Sequence, residues 1–184
     1  MSSGQLYRAS SAVALSRCYD PAKEDAVSSV LSEVEMTMND HGVYVDGVLL
    51  ESSILYGPDV TKWISAHAAM RSVRLRVNAI LQRAAIIDPC VIEGRDIGTV
   101  GFPDAEAKVF LDAALVERAR RRQAQQGGDV NIIARAINAR DSEDRNKKWG
   151  RLSKATDALC LDTTDLTVSE VCDSLESIVS SRLR

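Results

Sequence analysis

Residues 91–113 read VIEGRDIGTVGFPDAEAKVFLDA, an apolar run that breaks at Gly94-Arg95-Asp96 and is followed by a second apolar run, Val109-Phe110-Leu111. The runs Cys90-Val91-Ile92, Val109-Phe110-Leu111 and Leu159-Cys160-Leu161 are short, continuously apolar and separated by helix-period segments. That is the pattern of strands buried on both faces of a parallel sheet, which makes the expected fold class α/β. In such sheets ligands gather beyond the C-terminal ends of strands, because loops and helix N-termini converge there. Gly94-Arg95-Asp96 stands at such an end. Glycine permits a tight turn, the arginine fork suits a phosphate, and the aspartate accepts hydrogen bonds from a base or sugar. The same residues also fit an Arg–Asp surface pair, and spacing leaves both readings open.

Upstream the period changes. Val34, Met36 and Met38 alternate, and Val43 and Val45 lead through Asp46-Gly47 into Val48, which predicts a small antiparallel ribbon with a two-residue turn. Val60, Trp63, Ile64 and His67 then share one helical face, and Val73, Val77, Ile80 and Leu81 another. Near the C-terminus Thr167 and Glu170 form a capping box ahead of Val168, Val171, Cys172, Leu175, Ile178 and Val179. That last stripe is expected to be core, as are the thiols of Cys90 and Cys160, with His67 a plain helix-face residue.

Composition excludes several classes. The 184 residues suit one domain, and a net charge of -3 gives no general pull toward nucleic acid or anionic membrane. Cys18, Cys90, Cys160 and Cys172 form no CxxC pair and show no metal-ligand spacing with His41 or His67, so no metal site is expected. No stretch reads as a membrane span or leader, and a cytoplasmic location with reduced thiols is expected. Basic residues nevertheless crowd one segment, with Arg118, Arg120, Arg121, Arg122, Arg135, Arg140, Arg145, Lys147, Lys148 and Arg151 following one another. A solvated face is one reading, and a site for a concentrated anion such as a polyphosphate is the other. Binding of single-stranded nucleic acid calls for aromatics interleaved with the basic residues, and only Trp149 lies near.

The segments SSGQLYRA, EGRDIGTVGFPDAEAKVFLDA, ERARRR, RDSEDRN and DALCLDTTDLTVSEV, in that order, resemble the bacterial cytidylate (CMP/dCMP) kinase family. The resemblance covers nearly the whole chain. It implies a P-loop NTPase-type parallel-sheet core at 1–26, 88–113 and 151–184, a monophosphate-binding lobe with a small antiparallel insert at 27–87, and a helical lid at 114–150. It implies transfer of the γ-phosphoryl of ATP, with Mg²⁺, to CMP or dCMP, giving CDP or dCDP in pyrimidine nucleotide metabolism. Nucleotides are then the partners of a monomer, without nucleic acid or membrane. Carried over by motif, Ser3, Tyr7 and Arg8 contact the monophosphate nucleotide, Arg8 through its phosphate. Ser65, Arg74 and Asp96 read cytosine and sugar, or orient the groups that do, and Arg95 lies against phosphate. In the lid, Arg140 and Asp144 belong to the substrate and catalytic set with Arg95, while Arg118, Arg122 and Lys147 face ATP phosphates. Lys147 stands where the family shows arginine, and it keeps the charge without the planar fork. Lid closure is expected to exclude water.

One departure from the family bears on activity. The family's first strand leads into G-x-x-x-x-G-K-[ST], whose backbone N–H groups cradle phosphates. The sequence has no Gly-Lys dipeptide. The first two core strands and first helix are therefore expected to be absent, with catalysis by the chain as given impaired. The alternative expectation is a non-catalytic nucleotide-binding remnant.

Overall fold

The computed structural model describes residues 1–17 and 20–182 of the chain, so Cys18 lies outside the described residues. The fold is mixed α/β, with a three-stranded antiparallel sheet and a two-stranded parallel sheet among the described residues. Two compact units divide the chain: Met1–Ile97 with Lys147–Gly150, and Gly98–Asn146 with Arg151–Arg184.

The first unit is organised around α1 (Ser3–Ser16), which buries Leu6, Ala9, Val13 and Ala14. Against it pack α2 (Glu24–Ser32), α3 (Ser52–Leu55), α4 (Pro58–His67) and α5 (Arg71–Ile87). The faces they turn inward carry Val27, Val30 and Leu31 from α2, Val60 and His67 from α4, and Val73, Val77, Ile80 and Leu81 from α5. Each fully buried Val or Leu side chain contributes about 1.5–3 kcal/mol relative to exposure. The sequence periods at 60–67 and 73–81 therefore find the helices they predict. Met70 supplies no side-chain cap to α5, and the Glu24 carboxylate accepts the Ser72 N–H at 2.7 Å in its place.

The ribbon also forms as expected, from β1 (Met36–Asn39), β2 (Gly42–Val45) and β3 (Val48–Leu49). Met36 faces Val45, Met38 faces Val43, and Val45 faces Val48. Asp46 and Gly47 both take positive φ, 49° and 77°, as a tight two-residue hairpin turn with strand-matching twist requires. Asp46 also ties the ribbon back, since Glu35 N–H donates to its carboxylate and its own N–H donates to the Glu35 carbonyl, both at 2.8 Å.

In the second unit, β4 (Val109–Asp112) and β5 (Leu159–Asp162) pair in parallel with Val109 opposite Leu159 and Asp112 opposite Asp162. Helices α6 (Leu115–Gln126) and α7 (Val130–Asn146) pack on each other after a turn through Gly127 and Gly128, both at positive φ. The chain ends in α8 (Val168–Arg182), opened by the expected capping box: Thr167 N–H donates to the Glu170 carboxylate at 2.8 Å and Glu170 N–H to Thr167 Oγ1 at 3.3 Å.

Three expectations fail, each for want of a covering partner. Cys90-Val91-Ile92 is not a strand. Its neighbour Glu93 makes one parallel bridge to Ser2, flanked by bonds from Met1 N to the Val91 carbonyl at 2.7 Å and from Ser3 N to the Glu93 carbonyl at 3.1 Å. The pairing stops there because α1 begins at Ser3 and its backbone turns away into a helix. Next, β4 and β5 are not buried on both faces, since Leu111 and Leu159 are exposed, and Cys90 and Cys160 are exposed thiols rather than core residues. Finally, the α8 stripe is not core: no α8 residue is buried, and Val168 is 82% exposed.

Candidate functional site

The candidate residues fall into two groups, one in each unit, beginning with the N-terminal half of α1. Ser3 is buried beside Gly94, where a Cβ would run into the Ser3 hydroxyl, so the close approach of loop and helix demands glycine there. One turn later Tyr7 is buried, and its ring faces the Arg74 guanidinium with 5.6 Å between guanidinium carbon and ring centroid. Arg74, from α5, forms an ion pair with Asp96 in which both side chains are nearly buried, 9% and 12% exposed. Its Nη1 also donates to the Ala68 carbonyl at 3.2 Å, and Gly150 at φ 75° lies so close that a Cβ would meet the guanidinium.

The electrostatics follow from that packing. Burial pushes the Tyr7 phenol up to about 12, with the Arg74 cation opposing and the Asp96 carboxylate reinforcing the shift. At neutral pH it is therefore an uncharged hydroxyl beside a buried ion pair. Aromatic face, phenol, cation and carboxylate thus form one nearly buried cluster, in which Arg74 engages both the Tyr7 ring and the Asp96 carboxylate. The structure brings Ser3, Tyr7, Arg74 and Asp96 into this one unit as neighbours of α1, while Arg95 is exposed beside Asp96 and Ser65 is exposed on α4.

Arg8 points elsewhere on the same unit. Its Nη1 donates to the Leu55 carbonyl at 3.1 Å and to Thr61 Oγ1 at 3.2 Å, and its guanidinium stacks over Tyr56 at 4.5 Å. A further tie holds α1 to α4. The Pro21 carbonyl can only accept, so His67 carries a proton on Nε2 and donates at 2.9 Å, while Nδ1 lies 2.8 Å from the Ser11 hydroxyl, whose single proton also has the Tyr7 carbonyl within reach at 3.0 Å. Burial lowers the His67 pKa, consistent with a neutral ring.

The second unit holds Arg118, Arg122, Arg140 and Asp144. Arg118 donates to the Ala113 carbonyl at 3.0 Å and pairs with Asp141 at 2.7 Å, linking α6 to α7. Arg122 is exposed on α6. Arg140, its side chain 59% exposed, stands 4.0 Å from the buried Asp144 one turn along α7. Lys147 follows the end of α7 and groups with the first unit. Arg121, by contrast, is spent on structure: its guanidinium bonds Glu117, the Thr163 hydroxyl and the carbonyls of Thr163, Thr164 and Leu166, closing the loop after β5.

Sequence reading passed over three residues of the first unit. Glu93 accepts the Ser2 hydroxyl next to Gly94, and its signal was an acid at the end of an apolar run. Tyr56 and Thr61 hold Arg8, and nothing local in sequence marks them. No group of three or more His, Cys, Asp or Glu side chains capable of holding a metal gathers among the described residues.

The family model described as Cytidylate kinase matches residues 1–181. The chain is 37% identical over 181 residues to the cytidylate kinase of Oceanobacillus iheyensis, covering 94% of this chain and 78% of that protein. It is 34% identical over 190 residues to the cytidylate kinase of Limosilactobacillus fermentum, covering 98% and 84%. Against the cytidylate kinase of Mycobacterium avium it is 35% identical over 192 residues, covering 99% and 84%.

Proposed function

The chain belongs to the cytidylate kinase family, and from that premise we propose that it transfers the γ-phosphoryl of MgATP to CMP or dCMP, giving CDP or dCDP. A phosphate oxygen of the acceptor attacks Pγ, the bond from Pγ to the β,γ-bridging oxygen breaks, and ADP leaves. Such transfer needs little covalent chemistry from the protein, and rests on positioning and on cations that offset charge spreading over the oxygens.

The residues divide that work. Arg8 takes the acceptor phosphate, and Ser3, Tyr7, Ser65, Arg74 and Asp96 hold its base and sugar or orient the groups that do. Arg95 and Arg140 offset phosphate charge, Asp144 holds Arg140 in orientation, and Arg118, Arg122 and Lys147 serve the donor phosphates. The helix pair α6 and α7 is the lid of this reading.

The observation that carries the reading is the Tyr7–Arg74–Asp96 cluster, a nearly dry ion pair against an aromatic face. Replacing Asp96 by Ala removes an acceptor that water does not replace at that depth. CMP affinity is expected to fall about 10- to 100-fold, with discrimination against UMP relaxed. Calorimetric titration with CMP and UMP tests this, and unchanged CMP affinity sinks the assignment. A coupled assay of CDP formation on the unsubstituted chain tests the transfer itself. CMP binding without CDP formation would leave nucleotide binding as the function.

A further inference from the structure

Arg8 extends from α1 to the junction of α3 and α4, where three partners meet it. Its Nη1 bonds the Leu55 carbonyl at 3.1 Å and the Thr61 hydroxyl at 3.2 Å, and its guanidinium carbon sits 4.5 Å from the centroid of the Tyr56 ring. Tyr56 is 54% exposed, so burial alone gives its ring little reason to stay where it is. The contact with the Arg8 guanidinium does, because the ring face carries negative potential toward the cation.

The carbonyl, the hydroxyl and the ring face each orient the cation. Orientation matters for a guanidinium in particular. It makes paired bonds to a phosphate only when its plane is aligned with the oxygens, and a long side chain stopped in place beforehand loses less freedom on binding. Two hydrogen bonds from Nη1 and a ring face 4.5 Å from the guanidinium carbon restrict its rotation.

We propose that Tyr56, together with Thr61, is the positioning residue for Arg8, holding the guanidinium plane ready for the monophosphate of the acceptor nucleotide. This rests on the reading of Arg8 as the phosphate ligand. Tyr56 acts through Arg8, so its effect is confined to ligands that carry the phosphate.

The test is calorimetric titration of the full chain with CMP and with cytidine, which lacks the phosphate. Tyr56→Leu is expected to weaken CMP about fivefold and to leave cytidine unchanged. Tyr56→Phe keeps the ring face and restores CMP affinity. Thr61→Val, a second route to the same loss, weakens CMP about threefold. Equal losses for CMP and cytidine would overturn the proposal, since a collapsed pocket loses both. The proposal is also overturned if Tyr56→Leu leaves CMP affinity intact while Arg8→Ala reduces it, and the phosphate reading of Arg8 then survives. Unchanged CMP affinity in Arg8→Ala would overturn that reading, and the proposal with it.

Discussion

Helices α2 and α8 carry comparable apolar stripes, yet Leu31 on α2 is 1% exposed while α8 buries no residue at all. The difference lies in their surroundings. Within the first unit α1 touches α2, α3, α4, α5 and β2, so the faces that carry Val27, Val30, Leu31, Val73, Val77 and Leu81 are covered. In the second unit the parallel sheet has two strands, and Leu111 and Leu159 remain open on it. A periodic stripe states which face of a helix gains from being covered, and only the rest of the fold decides whether it is.

The contrast predicts unequal losses. Leu31→Ala should cost about 3 kcal/mol, from lost transfer energy plus a cavity, and Leu175→Ala on α8 less than about 1 kcal/mol, both read from urea unfolding. Equal losses would break the comparison.

Ion pairs sharpen it. Arg74→Ala leaves the Asp96 carboxylate, 12% exposed, without its guanidinium, and should cost about 2–3 kcal/mol of stability. Arg140→Ala removes a pair at 4.0 Å whose arginine is 59% exposed, and should cost less than about 0.5 kcal/mol while lowering turnover more than CMP affinity. Should CMP affinity fall more than turnover, Arg140 belongs to the acceptor pocket.

The smallest effect is in acid. The Ser72 N–H holds the Glu24 carboxyl below the usual carboxylate range, and Thr167 does the same for Glu170. A folded-state pKa that is depressed adds stability above the unfolded value, near pH 4.5, and that stability is lost as pH falls through the folded value. Urea midpoints taken from pH 6 down to pH 3 should therefore fall less steeply in Glu24→Gln than in the unsubstituted chain. An unchanged slope would show that the α5 cap adds no linkage.

Legibility in the sequence followed range. The ribbon, its Asp46-Gly47 turn and the Thr167–Glu170 box were readable because each is fixed by residues within a dozen positions. Long-range facts were not. Arg118, Arg121 and Arg122 look alike in ERARRR, but one pairs with Asp141, one closes the loop after β5 and one is exposed. The motif GRD marked the neighbourhood of the Arg74–Asp96 pair, whereas the contact of Tyr56 arises only once α1 brings Arg8 to it. Cys90-Val91-Ile92 read as a strand because apolar runs do not reveal that the partner turns helical at Ser3.

The His67 ring is fully buried, with Nε2 bonded to the Pro21 carbonyl and Nδ1 to Ser11. Its N–H proton exchanges with solvent deuterium only when this part of the first unit opens. That proton is a built-in clock for the breathing of the helical first unit. Followed by NMR, its exchange rate would time motions that backbone amides at frayed helix ends would blur.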